Sequence, residues 1–207
     1  MNSVLDLLTS GVHDAKNQLF VAESAVVRAE LERGVELGEA RFAIEQAALR
    51  LSRILVAYRS QRGLLVPVIG MQQVSELLDE VALVNAPHCA AAGLSFQAVC
   101  DDDSLQWPLD RELMLDVLAN ALNNAARFAR SRILLSAAHE DGELVLRVED
   151  DGPGFDTTDS STMAQRGLGL FVAAEIARRH GRGGRAGALH LSNGGGLGGA
   201  VFELRLP

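Results

Sequence analysis

Lysine is almost absent from this chain. Of 19 basic residues only Lys16 is a lysine, and 27 acidic residues leave a net charge of −8. Without a Lys/Arg-rich block, the chain lacks the counter-charge that holds a protein to nucleic acid by neutralising phosphates. Cysteine is equally scarce. Cys89 and Cys100 suit neither a disulfide framework nor a four-ligand zinc site. No apolar run approaches the ~20 residues of a membrane-crossing helix. The opening residues, MNSVLDLLTSGVHD, carry an early aspartate where a secretory signal would be basic. These absences predict a reduced, soluble, cytoplasmic protein that engages neither membrane nor nucleic acid. What remains is ordinary globular material: 207 residues, 48% hydrophobic and 22% charged, enough for one or two domains.

Proline is missing from residues 1–62, which are rich in Ala, Leu, Glu and Arg. Apolar residues fall at Leu5, Leu8, Val12, Ala15, Leu19, Ala22, Val26 and Ala29, alternating steps of three and four. A second series runs Leu37, Ala40, Ile44, Ala47, Leu51, Ile54 and Tyr58. Both predict helices with a continuous apolar seam, and Gly34 and Gly38 mark the turn of a hairpin between them. A first helix of about thirty residues would be roughly 45 Å long. Two such helices cannot enclose a core. The expected solution is a homodimer in which two hairpins form a four-helix bundle. The alternative is a hairpin packed on its own second domain.

Residues 63–207 have a different texture. RGLLVPVIG reads as a linker, with room for a short first strand, and precedes a helix at about 71–92 and a strand near 94–99. Asp110 is placed to cap a helix that runs to about Ala129. Alternating patterns at 132–138 and 143–149 flank Asp141-Gly142, a hairpin signal. A helix at about 168–180 and strands near 187–192 and 199–206 complete an α+β layered domain with an antiparallel sheet.

Three segments carry the candidate chemistry. In VEDDGPGF a strand ends at Asp150 and Asp151, and Gly152 and Gly154 then permit a tight turn open to a planar ligand. A desolvated carboxylate at a strand end can accept a hydrogen bond from an exocyclic amine such as that of adenine. In RGLGLFVAAEIARRHG, Gly167 and Gly169 open an apolar helix whose free N–H groups could bind phosphate. A dinucleotide fingerprint does not fit there, because a polar stretch precedes the glycines and Val172 stands where that motif needs glycine or alanine. In LANALNNAARFA, Asn120 and Asn124 share a helix face and Arg127 sits on the adjoining turn. His88, His139, His180 and His190 are scattered without ligand spacing and read as structural.

In this order, and ending in Gly198-Gly199-Ala-Val-Phe-Glu-Leu, the segments resemble the ATP-binding domain shared by histidine kinases, type II topoisomerases and the Hsp90 chaperone. The resemblance covers about residues 70–207. It implies an α/β sandwich in which Asn124 holds Mg²⁺, Arg127 contacts phosphate and Asp150 binds the adenine amine of ATP. Gly152 and Gly154 would form the nucleotide floor, Gly167, Leu168 and Gly169 the phosphate-side loop, and Gly199 the last glycine box. Asn120 stands where the topoisomerase branch carries a catalytic glutamate, which favours the histidine-kinase branch.

The N-terminal hairpin then acquires a function. His13-Asp14-Ala15-Lys16-Asn17 resembles the phosphoacceptor box of sensor kinases, and the helical register sets His13, Asp14 and Asn17 off the seam. The resemblance implies a dimerisation and phosphotransfer hairpin at 1–62 and a catalytic ATP-binding domain at 63–207. His13 would take the γ-phosphoryl group of Mg-ATP and pass it to an aspartate of a response-regulator receiver domain. Asp14 would set the imidazole tautomer, and Asn17 would support a phosphatase activity toward that partner. No sensor or membrane segment precedes His13, so the expected stimulus arrives through an upstream partner or the chain is a fragment. The stretch 156–166 is short for the family and lacks its phenylalanine-containing box. Two alternatives stand beside this reading: a phosphotransfer adaptor that does not use ATP, and a serine kinase or binding module of the anti-sigma type.

Overall fold

The computed structural model describes residues 3–35, 37–155 and 167–207, with the side chains at 3–10, 13, 16, 42 and 45 outside the description. Two compact units divide the chain, Met1–Leu64 and Leu65–Pro207.

The first unit is a helical hairpin of α1 (Ser3–Arg33) and α2 (Gly38–Gln61). Gly34 makes the turn at φ 61°, a backbone state that glycine adopts at no steric cost, and its N–H closes on the Glu30 carbonyl. The Glu30 carboxylate then receives the Leu37 N–H and Arg41 across the turn. The described seam residues of α1, Val12, Ala15, Leu19, Ala22, Val26 and Ala29, are half-buried, and none is fully enclosed. Leu5 and Leu8 lie outside the described side chains. Phe20, Val21 and Leu31 on α1 and Ile54 on α2 are exposed.

The second unit is a two-layer sandwich. Its five-stranded sheet has the order β2-β4-β5-β7-β6, from β2 (Ser95–Cys100), β4 (Arg132–Glu140), β5 (Glu143–Asp150), β6 (Ala188–Asn193) and β7 (Ala200–Leu206). Helices α3 (Val74–Ala91), α4 (Arg111–Phe128) and α5 (Leu168–Arg179) pack across it in that sequence. Ile133, Leu135, Leu144, Leu146 and Leu204 of the sheet are buried with Leu118, Leu122 and Ile176 of the helices. The other sheet face carries charge in cross-strand pairs: Arg147 meets Glu140 at 2.7 Å and Glu203 at 2.5 Å, and Arg205 meets Glu140 at 3.1 Å.

Several details depart from the sequence reading. β2 pairs with β4 in parallel, so the sheet is mixed, because the chain crosses over through β3 (Gln106–Leu109) and α4 between the two strands. A small antiparallel pair of β1 (Gly70–Gln73) and β3 (Gln106–Leu109) was not legible as such, and it delays the start of α3 to Val74. Arg178, Arg179, Arg182 and Arg185 fall within eight residues at the end of α5, a local basic cluster on an acidic chain.

Asp110 caps α4 as expected, accepting the Leu113 N–H at 3.1 Å. Its other oxygen accepts the Val68 N–H at 2.7 Å, and its own N–H is donated to His180 Nε2 at 3.0 Å. His180 Nδ1 donates to the Ile176 carbonyl at 2.8 Å, which fixes a neutral tautomer. Burial holds this imidazole below its ordinary pKa. His180 therefore ties the start of α4 to the end of α5.

Candidate functional site

The segments singled out in the sequence meet around one cavity of about 330 Å³ between helices and sheet. Its wall includes Asn124 and Phe128 of α4, Asp150 at the end of β5, Gly154 and Phe155 of the following turn, and Leu170 of α5. The lining is mostly apolar with a few polar groups, as a site for a planar ligand requires.

Asp150 is 5% exposed. Its Oδ1 accepts the N–H groups of Gly152 at 2.8 Å and Ala200 at 3.2 Å, and Oδ2 has no protein partner among the described residues. One oxygen is thus fixed by backbone while the other remains available to a donor in the cavity.

The glycines are dictated by this crowding. A Cβ on Gly199 would lie 2.4 Å from the Asp150 carbonyl oxygen and 2.6 Å from Oδ1. A Cβ on Gly152 would lie 2.4 Å from the Phe128 carbonyl oxygen. Neither position tolerates a side chain, because its neighbours are backbone that cannot move aside.

Asn120 lies on the same helix face as Asn124 but is 3% exposed, beneath the first turn of α5 and off the cavity wall. A Cβ on Gly169 would lie 2.5 Å from its Nδ2, so the glycine leaves room for the amide. That Nδ2 is buried without a hydrogen-bond partner. An orphaned donor of this kind is costly, and an anionic oxygen brought to the α4–α5 junction would satisfy it.

Gly167 begins α5 at φ 124°, with neither a side-chain cap nor an acidic residue in the first turn. Gly167 and Leu168 are exposed, and among the described residues the N–H groups of that first turn have no backbone acceptor. Arg127 is exposed and stacks its guanidinium 5.4 Å from the ring centre of Phe128, which lines the cavity. Among the described residues no group of three His, Cys, Asp or Glu could hold a metal ion. The donor set fits a cation that takes one neutral amide oxygen, from Asn124, and completes its shell with phosphate oxygens and water.

His13, Asp14 and Asn17 lie in α1, in the other unit. Asp14 and Asn17 are exposed. The side chain of His13, and the stretch 156–166, fall outside the described residues.

Two further residues shape the site in roles that the sequence reading did not assign. Asp151 faces away from the cavity: its Oδ1 accepts the N–H groups of Arg130, Ser131 and Arg132 at 2.8, 2.9 and 3.1 Å, and Oδ2 accepts the Ser131 hydroxyl at 2.6 Å. These donors, the hydroxyl foremost, hold its carboxyl far below the usual range. It fastens the exit of α4 to the end of β5. Asn193, the last residue of β6, pairs its side-chain amide with both backbone groups of Phe155. The doubled aspartate was a visible signal. Asn193, at the head of the glycine-rich stretch NGGGLGG, carried no such signal.

Residues 109–207 match the family described as Histidine kinase-, DNA gyrase B-, and HSP90-like ATPase. The chain is 32% identical to the sensor protein kinase CarS of Pseudomonas aeruginosa over 94% of its own length and 44% of CarS. It is 36% identical to the signal transduction histidine-protein kinase AfsQ2 of Streptomyces coelicolor over 48% of its length and 20% of that protein. It therefore spans less than half the length of these curated relatives. Among solved structures, the histidine kinase AdeS of Acinetobacter baumannii superposes with a TM-score of 0.65 at 17% identity, covering 92% of this chain and 95% of that one. Full-length ShkA in complex with AMPPNP superposes with a TM-score of 0.67 at 20% identity, over 98% of this chain and 45% of ShkA. At these identities the likeness is one of fold.

Proposed function

Since the chain belongs to the sensor histidine kinases and carries their gyrase- and HSP90-like ATP-binding domain, we propose that it phosphorylates its own His13 from Mg-ATP and passes the group to a response-regulator aspartate. The observation that carries this is Asp150, buried at the cavity wall with one oxygen saturated by backbone N–H groups and the other open. A fixed, desolvated acceptor of that kind selects a base with an exocyclic amine, as adenine has, against one that lacks it.

Adenine enters the apolar cavity and donates its amine to Asp150 Oδ2, while Gly152 and Gly199 keep the approach free of side chains. The phosphates extend toward the first turn of α5, where free N–H groups receive them, and Arg127 supplies a cation beside Phe128. Mg²⁺, held by Asn124 together with phosphate oxygens, would neutralise charge on the triphosphate. An imidazole nitrogen of His13 forms a bond to the γ-phosphorus as the bond to the β–γ bridging oxygen breaks and ADP leaves. Asp14 hydrogen-bonds the other ring nitrogen, fixing the tautomer and taking up the developing positive charge. The protein's contribution is position and electrostatics, since phosphoryl transfer has little covalent work for it to do.

The hairpin works as a homodimer, its half-buried seam closed by a second copy into four helices. The phosphoryl group then moves to the receiver domain, and Asn17 orients water when that partner is dephosphorylated. An upstream sensory segment or partner supplies the stimulus.

Incubation with γ-labelled ATP tests the reading. The wild-type chain is expected to acquire an acid-labile, alkali-stable label. His13→Gln should abolish it while leaving nucleotide binding intact, and Asp150→Asn should lose both. Persistent labelling of His13→Gln would place the acceptor elsewhere.

A further inference from the structure

The turn that follows Asp150 is tied to the sheet in an unusual way. Among the described residues, Pro153, Gly154 and Phe155 make no backbone-to-backbone hydrogen bond with the rest of the unit. What holds them is the amide of Asn193. Its Oδ1 accepts the Phe155 N–H at 2.7 Å, and its Nδ2 donates to the Phe155 carbonyl at 2.8 Å. One side chain thus reproduces both bonds of a β-ladder pair. Gly154, at φ 82°, accommodates it: a Cβ there would lie 2.7 Å from Asn193 Oδ1.

Asn193 itself stands on firm ground. It pairs with Ala200 across the β6–β7 hairpin, and the hairpin is stitched to β5 by Gly199 N–H to the Asp150 carbonyl at 3.0 Å. Gly196 N–H to Glu149 Oε2, at 2.7 Å, adds a second stitch. The strand ends that fix Asp150 therefore also fix the amide that fixes Phe155. Both Gly154 and Phe155 line the cavity. Asn193 is exposed and does not line it, so neither core packing nor direct ligand contact accounts for this residue.

We infer that Asn193 is a positioning residue for nucleotide binding, holding the Gly154–Phe155 wall of the cavity at the distance from Asp150 that a purine requires. This rests on the reading of the cavity as an ATP site. Without the amide the segment would have to be ordered at the expense of binding energy. Affinity should fall while the chemistry, once nucleotide is bound, does not.

The test uses the 1–207 chain and three readouts: ADP affinity by calorimetry, KM for ATP and the rate at saturation in autophosphorylation, and amide exchange at Phe155 without nucleotide. Asn193→Ala is expected to raise Kd and KM about tenfold, the loss of two hydrogen bonds of ordinary strength. The saturated rate should stay within about twofold and the unfolding midpoint of the sandwich should be unchanged. Asn193→Asp keeps an acceptor for the Phe155 N–H and loses the donor to its carbonyl, so its Kd should lie between the two. Phe155 exchange should be slow in wild type and fast in Asn193→Ala. An unaltered Kd in Asn193→Ala, with Phe155 exchange accelerated, overturns the inference alone. A loss of saturated rate with affinity retained overturns it as well. Failure of the wild-type chain to bind ADP overturns the ATP-site reading and this inference together.

Discussion

The two units bury their apolar side chains to different depths. In the sandwich Leu118, Leu135, Leu144, Leu146 and Leu204 are wholly enclosed by a sheet on one side and helices on the other. In the hairpin the described α1 seam is only half-buried, and among the described residues Ala57 of α2 is the apolar side chain that falls below a tenth exposed. Sheet and helices present broad complementary faces and close a core within one chain. Two helices touch along a line, so an apolar stripe wide enough for a bundle stays open on its outer flank. The sandwich closes its core within one chain, whereas the described seam of the hairpin stays half open.

The sharpest way to break this contrast is to truncate one leucine in each unit. Leu146→Ala, at 0% exposure, should cost the sandwich about 3 kcal/mol in chemical denaturation. Leu19→Ala, on the half-buried seam, should cost the isolated hairpin about 1 kcal/mol, with the larger part of its effect appearing in self-association. Equal losses would mean that the hairpin is as closed as the sandwich.

Concentration supplies the next test. Melting of the helical signal from the hairpin should rise with protein concentration, while the sandwich transition stays fixed. Val26→Asp puts a charge on the seam and should weaken self-association about tenfold or more by sedimentation. A monomeric hairpin with concentration-independent melting would sink the dimer.

A smaller effect separates the units by pH. Burial lowers the His180 pKa below its ordinary value of 6.5, and the neutral ring accepts the Asp110 N–H. The unfolded chain binds this proton more readily, so the contribution is full above pH 6.5 and is lost as pH falls through the lower folded value. The unfolding midpoint of the sandwich should therefore drop with acidification in that window. His180→Gln should remove the slope. Asp151 acts further down: its depressed carboxyl stabilises above its ordinary value of 3.8 and ceases to as pH falls through the folded one, so Asp151→Asn should flatten the acid limb. The smallest effect is expected at Arg178, exposed and paired with Glu175 at 2.8 Å one turn away. Arg178→Ala should move stability by no more than about 0.5 kcal/mol.

Much of the fold was readable because it rests on local rules. Helices α1 and α2, the half-buried seam of α1, the Asp110 cap and the Asp141-Gly142 hairpin each follow from periodicity or turn chemistry within a few residues, whereas Ala40, Ala47 and Ile54 of the expected α2 seam are exposed. The parallel pairing of β2 with β4, and the β1–β3 pair from segments some thirty residues apart, were not readable, because a strand's partner is set by long-range packing. The site divides the same way. Asn124, Asp150, Gly154 and Gly199 could be picked out by type and order. That Asn120 lies under Gly169, off the cavity wall, depends on how α4 meets α5.

The sequence by itself determined which residues could serve: a carboxylate at a strand end, glycines where nothing larger fits, asparagines on one helix face, and an apolar stripe calling for a partner. Only the tertiary structure decided which oxygen of Asp150 is left free, that Asp151 turns away to fasten the exit of α4, and that Asn193 holds Phe155. Those outcomes depend on distances between segments far apart in the chain, which no local spacing encodes and which close packing fixes to a few tenths of an ångström.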